Sequence, residues 1–357
     1  MSKLLKPYIY VMLTVFLTVL GGVSLYKIGP VNFRPYQIPL LIASILLISQ
    51  FLVSKKKIIF PRSYFFSLFL LLIAIFISLF AAPFPLLTIK QTILLGLFII
   101  LFFLIINTCD SEKRIIMLHK IIIYSCILCC IYGLYKMITL NLPGVPKEGG
   151  YAYTRPKSFF VEPNEFGQYL VFAFGYVFSE LLSGRKITNR IILWCTFFLI
   201  VFLIVPNMSR GAWLGCIISM FVIFYYQNKY KIKKINLNRK IKIVIVVFFL
   251  SVVSITVLSK YLPTNLNISA GKIIKSRALS IFGGSDATSS IRWENNKKAF
   301  DAMMKYPFTG VGFGNEFVVM EENAGNYGEN VLPDVVAATS SNFLSDIGMA
   351  TGVLGFS

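Results

Sequence analysis

The sequence predicts an all-α integral membrane protein of about ten transmembrane helices with a cytoplasmic N-terminus, and three observations carry this reading. Of 357 residues, 56% are apolar or aromatic and only 14% are charged, whereas soluble domains run near a quarter charged. Apolar runs of roughly twenty residues, enough to cross about 30 Å of hydrocarbon, recur along nearly the whole chain. Lys and Arg collect in alternate connections, as they do where cytoplasmic loops resist translocation.

Taken in order, spans are expected at about 8–26, 36–53, 63–82, 88–106, 115–136, 164–183, 190–206, 209–227 and 241–260, with a tenth, cut short, starting near Asn342. The first has Lys3 and Lys6 before its apolar core, as a signal peptide would, but no small-residue cleavage site follows. It reads as a retained helix. With the N-terminus inside, the cytoplasmic segments include Lys55, Lys56, Lys57, Arg62, Arg185, Lys186 and the basic run from Lys229 to Lys242. They hold more than twice as many Lys and Arg as the short outside loops. The expected organisation is a transmembrane bundle over 1–137, a transmembrane region with outward arginine loops over 138–260, a large extracytoplasmic loop over 261–341, and a last span starting in 342–357.

The balance of 35 Lys+Arg against 15 Asp+Glu, a net +20, would point to nucleic acid in a soluble protein. Here most of the excess lies in the cytoplasmic connections and reads as topology, so no nucleic-acid partner is expected. Of six cysteines, Cys109 falls at a span end, and Cys126, Cys129, Cys130, Cys195 and Cys216 fall in apolar helices, where thiols pack as small hydrophobes. The CILCC run lacks a second ligand pair, so no metal is expected. His119, the only histidine, reads as structural.

Three outward regions break the logic of a chain dissolved in lipid. In residues 154–170, Arg155, Lys157, Glu162, Asn164, Glu165 and Gln168 lead directly into a span, with Pro163 at a favourable helix-start position. The alternative is an interfacial loop whose charges stay wet. In PNMSRGAWLG, residues 206–215, Arg210 lies in a short hairpin between apolar helices and must snorkel, pair or bind an anion. Gly211 and Gly215 allow close helix approach. In the large loop, Ser289 or Ser290 caps an expected amphipathic helix with Trp293, Phe300, Met303 and Met304 on its apolar face and Pro307 as its stop. Arg292 falls in its first turn, where a bound anion would offset an unfavourable dipole contact. The GVGFG that follows lacks a preceding strand and reads as a tight turn, not a dinucleotide fingerprint. Acidic and basic residues nearly balance in 261–341, and its Asn, Tyr and Trp suit carbohydrate.

These stations, in order, resemble the O-antigen ligase and polysaccharide polymerase family of bacterial membrane glycosyltransferases. They are Arg155 followed by Glu162-Pro163-Asn164, then Ser209-Arg210-Gly211-Ala212, then Arg292-Trp293 with Ala299-Phe300 and Tyr306 to Gly314. Ser341-Asn342 with Gly352 and Gly355 completes the series. The resemblance covers about 150–357. Ligase-like members carry a histidine where this chain has Ser341, and they usually continue through further spans, so a truncated product or a minimal member is expected.

The resemblance implies a metal- and cofactor-independent enzyme of the bacterial cytoplasmic membrane that polymerises polyprenyl-diphosphate-linked oligosaccharide units on the outer face into capsular, exo- or cell-wall polysaccharide. Transfer of finished polymer to an acceptor is the alternative within the family. Arg155, Arg210 and Arg292 are the candidate diphosphate clamp, and Glu162 is the candidate base, a plain helix-start acid being the other reading. Asn164, Gln168, Ser341 and Asn342 are candidate substrate contacts. Lipid and other membrane proteins of polysaccharide assembly are the further partners. A flippase would call for internal repeats, which the sequence does not show, and a scaffold role leaves the outward arginines without a shared purpose.

Overall fold

A computed structural model describes residues 6–28, 31–54, 58–140, 155–183, 187–229, 287–316 and 349–351, with single positions at 242, 246, 249, 250, 253 and 347. The described chain is mostly helical. In order it forms α1 (Pro7–Leu17) with a 3₁₀ extension to Leu20, short strands β1 (Tyr26–Ile28) and β2 (Val31–Phe33), α2 (Gln37–Ser54) and α3 (Arg62–Leu79). Then come α4 (Pro85–Thr108), α5 (Glu112–Thr139), α6 (Pro163–Ser183), α7 (Arg190–Ile204), α8 (Arg210–Lys229) and α9 (Ala287–Lys305).

Helices α2 to α8 fall on the second to eighth expected spans. Among the described residues α4 and α5 meet the length and apolarity a membrane crossing requires, with mean hydropathies of 2.5 and 2.1. α4 has almost none of its apolar length buried within the protein, and Ile38, Leu41, Ile45, Ile48 and Leu52 form an exposed stripe on α2. Apolar surface on this scale needs a bilayer rather than water as its solvent. The first expected span is corrected: its helix ends at Leu20, not at 26. Gly21 and Gly22 disfavour further helix, and a Cβ on Gly22 would lie 2.0 Å from the Phe159 carbonyl oxygen. The ninth span, about 241–260, and most of the tenth lie outside the described residues.

The chain divides into two compact units. The first takes in 1–26, 33–42 and 109–282. Its core gathers Phe166, Phe174 and Phe178 of α6, Phe197 and Ile200 of α7, and Ile123, Cys126, Cys129 and Cys130 of α5. These cysteines are buried and unbridged, as small apolar side chains. α6 packs on both α7 and α8, and small residues permit the approach: a Cβ on Gly167 would fall 2.6 Å from Asn207 Oδ1 and 3.3 Å from the Ala212 Cβ. Close backbone contact of this kind replaces the hydrophobic drive that lipid cannot supply.

The second unit takes in 27–32, 43–108 and 283–357. Asn107 accepts from the Ile59 N–H (2.7 Å) and donates to the Ile59 carbonyl (3.2 Å), holding the segment that enters α3 against the end of α4. At the other end of α3 and α4 sits the expected glycine turn. Gly310, Gly312 and Gly314 have φ of +62°, +97° and +85°, values that favour glycine. Asn315, fully buried, accepts from the Phe84 N–H (3.0 Å) and donates to Thr88 Oγ1 (2.9 Å), while the Phe313 N–H donates to Ser78 Oγ (3.3 Å). The Val311 and Gly312 N–H groups donate to the Met349 and Ala350 carbonyls at 2.8 and 3.0 Å. The turn therefore ties three chain segments together, a role its sequence does not announce.

One expectation about α9 is revised. The helix already runs from Ala287, so Ser289 and Ser290 lie within it rather than capping it. Its buried contacts are Ala299 and Ala302, packed with Val311 and Met349, while Trp293, Phe300 and Met304 are exposed. Small residues are what the crowded turn admits beside the helix.

Gly312→Ala tests this turn. The added Cβ would sit 2.5 Å from the Ala82 Cβ and 2.8 Å from its Cα, so a loss of about 2–3 kcal/mol is expected from strain and displacement together. Thermal unfolding in detergent measures it. Gly96→Ala on α4, with nothing within 4 Å of the new methyl, is the control and should lose nothing.

Candidate functional site

The loop before α6, expected to face outward, is built around Arg155. Three contacts hold the loop in place: Gly22 under Phe159, the Phe159 ring stacked on Tyr132 at 4.1 Å, and Ser158 Oγ donating to the Cys129 carbonyl at 2.7 Å. Ser158 takes a left-handed φ of +52°, a conformation uncommon for a residue with a Cβ, and that hydrogen bond to α5 stabilises it. Pro163 is the first residue of α6, and the Glu165 carboxylate reaches back to the Glu162 N–H at 3.4 Å. This is half of a capping box, which sets where the helix begins.

Asn207, which the sequence reading passed over, joins this loop to the hairpin between α7 and α8. It is fully buried, and its amide donates to the Pro163 carbonyl (2.7 Å) and the Pro156 carbonyl (3.1 Å). Arg155 answers in the opposite direction. Its Nε donates to the Asn207 carbonyl (2.7 Å) and a terminal nitrogen donates to Asn164 Oδ1 (2.8 Å). Both of these acceptors are neutral oxygens. Met208, next in the hairpin, takes a φ of +54°, and the Trp213 indole donates to the Ile204 carbonyl (2.9 Å), closing the turn from the α8 side. Three residues after Asn207, Arg210 opens α8, half-buried.

The structure thus brings Arg155 and Asn164 into direct contact and links them through Asn207 to the hairpin that carries Arg210. Glu162 lies at the same helix start, half-buried, and Gln168 is exposed one turn into α6. Arg292 belongs to α9 in the other unit, and its side chain lies outside what is described. Ser341 and Asn342 also lie outside the described residues. The available signal for Asn207 was an amide directly after Pro206 in a turn of only a few residues between apolar helices, where a buried polar side chain needs partners.

The arrangement suits an anion. A guanidinium oriented by the Asn207 carbonyl and Asn164 Oδ1 is a planar donor of the kind phosphate oxygens accept from, and a helix start such as that of α8 adds backbone N–H groups and a favourable dipole. His119, expected to be structural, sits elsewhere, with Nδ1 3.2 Å from Glu180 Oε1.

No curated protein and no solved structure matches the chain. A family model described as O-Antigen ligase matches residues 195–357; the match begins inside α7 and takes in Arg210, Arg292, Ser341 and Asn342, while Arg155, Glu162, Asn164 and Gln168 precede it. The resemblance read from the sequence is thereby supported: residues 195–357 match the O-antigen ligase family.

Proposed function

We propose that the protein is a multi-pass enzyme of the bacterial cytoplasmic membrane, N-terminus inside, that polymerises polyprenyl-diphosphate-linked oligosaccharide units on the outer face. The observation that carries this reading is the fixed Arg155, bonded to Asn164 and to the backbone of Asn207, beside a hairpin that ends in a second arginine. In the reaction, an acceptor hydroxyl attacks the anomeric carbon of the donor sugar. A glycosidic bond forms, the bond to the diphosphate oxygen breaks, and the electron pair leaves with polyprenyl diphosphate. The hydroxyl proton passes to a base, for which Glu162 at the start of α6 is the nearest candidate in sequence to Arg155 and Asn164.

Arg155, Arg210 and Arg292 stabilise the charge that develops on the leaving diphosphate, a role for preorganised bidentate donors. Gln168, Ser341 and Asn342 contact the sugars, and capsular, exo- or cell-wall polysaccharide is the product. Because the matching family model is described as O-Antigen ligase, transfer of finished polymer to an acceptor is the second reading.

Deleting the gene and separating lipid-linked and surface glycans on a gel tests both. Single repeat units persisting on the outer leaflet support polymerisation, full-length polymer left on the lipid supports ligation, and units trapped inside overturn both in favour of a flippase. Arg210→Ala and Arg292→Ala should each lower turnover about 10²-fold. Normal polymer length and amount in both, at wild-type protein level, would remove those arginines from the clamp.

A further inference from the structure

The first unit holds a second polar site, at the opposite end of α6 from Arg155. A cavity of about 590 Å³ is lined by Lys120 and Tyr124 of α5, Glu180 of α6, and Thr188, Asn189 and Arg190 at the start of α7. Its interior is acidic. Glu180 is 7% exposed; Oε1 lies 3.2 Å from His119 Nδ1, and neither that nitrogen nor Oε2 has a hydrogen-bond partner among the described residues. Thr188 Oγ1 is buried and unpartnered in the same way. A buried carboxylate oxygen left bare is costly enough that a donor is normally found for it. The rim is basic, because Lys120 and Arg190 are both exposed there. Tyr124 is 45% exposed beside Lys120's helix face, and Ile191, next to Arg190, is 71% exposed, which adds an apolar margin of the kind acyl chains cover.

We infer that this cavity binds a glycerophospholipid headgroup, with its phosphate against Lys120 and Arg190 and an ammonium or hydroxyl donor reaching Glu180. Two cations around one carboxylate call for a ligand that brings an anion to the rim. The Glu180 carboxylate in the cavity wall calls for a proton donor a few atoms further in. Phosphoethanolamine and phosphoglycerol headgroups offer both, whereas phosphocholine offers the phosphate but a quaternary ammonium with no proton to donate. The basic residues of the 184–190 connection place this end of the bundle at the cytoplasmic leaflet, so the inference is independent of the outer-face chemistry.

Native mass spectrometry of the full chain, delipidated in detergent and titrated with single lipids, tests it. One phosphatidylethanolamine or phosphatidylglycerol per chain should be retained, and phosphatidylcholine should bind about tenfold more weakly for want of the charge-assisted hydrogen bond. Water-soluble glycerophosphoethanolamine should also bind more weakly. Glu180→Gln should lower retention of the first two lipids about tenfold and leave phosphatidylcholine unchanged. Lys120→Ala with Arg190→Ala, on exposed side chains that the core does not need, should weaken all three. Equal binding of phosphatidylcholine and phosphatidylethanolamine, or wild-type retention in the double variant, overturns the proposal. So does glycerophosphoethanolamine binding as tightly as the lipid, which would indicate a soluble phosphoester.

Discussion

Arg155→Ala is expected to lower turnover by 10²-fold or more, on the scale of losing one preorganised charge donor in a site shielded from water (about 10²–10³-fold). The expectation rests on how the side chain is held. Nε and a terminal nitrogen are spent on the Asn207 carbonyl and Asn164 Oδ1, which aligns the guanidinium plane before substrate arrives. Arg155→Lys should be nearly as damaging, because one ammonium cannot span both acceptors and still offer a planar fork to phosphate. Asn164→Ala should give an intermediate loss, since it frees one arm of the guanidinium and keeps the charge. Turnover in membranes or proteoliposomes, with folded protein quantified alongside, measures all three. If Arg155→Lys retains wild-type turnover, the contact is a point charge and the bidentate clamp is wrong.

Asn207→Ala is expected to have the largest effect on stability, about 2–4 kcal/mol. Removing the amide leaves the Pro156 and Pro163 carbonyls without its hydrogen bonds in a buried setting, at about 1–3 kcal/mol for each unsatisfied group. Asn207→Asp keeps the shape but has no donor when ionised, so it should be at least as destabilising. Thermal unfolding in detergent reads the stability. Turnover measured below the unfolding transition separates a second effect: the Arg155 Nε bond goes to the Asn207 backbone and survives in the alanine variant, so activity should fall less there than in Arg155→Ala. A turnover loss as deep as that of Arg155→Ala, at a temperature where the variant is folded, would mean that the side chain itself meets substrate.

The helix positions were legible because lipid imposes one strong rule, that backbone polar groups pair within the segment and the surface be apolar. α2 to α8 accordingly begin and end within a few residues of the apolar runs. The rule says nothing of how helices end against their neighbours. Gly21 and Gly22 shorten α1 where the backbone of Phe159 passes at close range, and that contact lies more than a hundred residues away in sequence. In α9 the large apolar residues Trp293, Phe300 and Met304 are exposed, as on a helix lying against a membrane surface, and the small Ala299 and Ala302, which carry little apolar signal in the sequence, are the ones packed with Val311 beside the glycine turn.

At the candidate site, charge and proline position drew the eye to Arg155, Glu162 and Asn164, since ionisable groups at a membrane edge are expensive. Asn207 escaped notice because it is neutral, and its importance depends on two carbonyls some fifty residues upstream. Asn315 escaped for the same reason, its partners Phe84 and Thr88 lying in the loop before α4 and in α4 itself.

By itself, then, the sequence determined the solvent of this protein, the approximate place of most helices, the family resemblance over about 150–357, and which charged residues stand apart from lipid. Composition and periodicity are local, and local patterns suffice for those decisions. Only the tertiary structure decided that Asn207 holds Arg155 and Asn164 in one knot, that three glycines and Asn315 tie the turn after α9 to the end of α3 and α4, and that Glu180 lines a basic-rimmed cavity. Those arrangements are made by hydrogen bonds and close approaches between residues far apart along the chain, and no local pattern records which distant carbonyl a buried amide will meet.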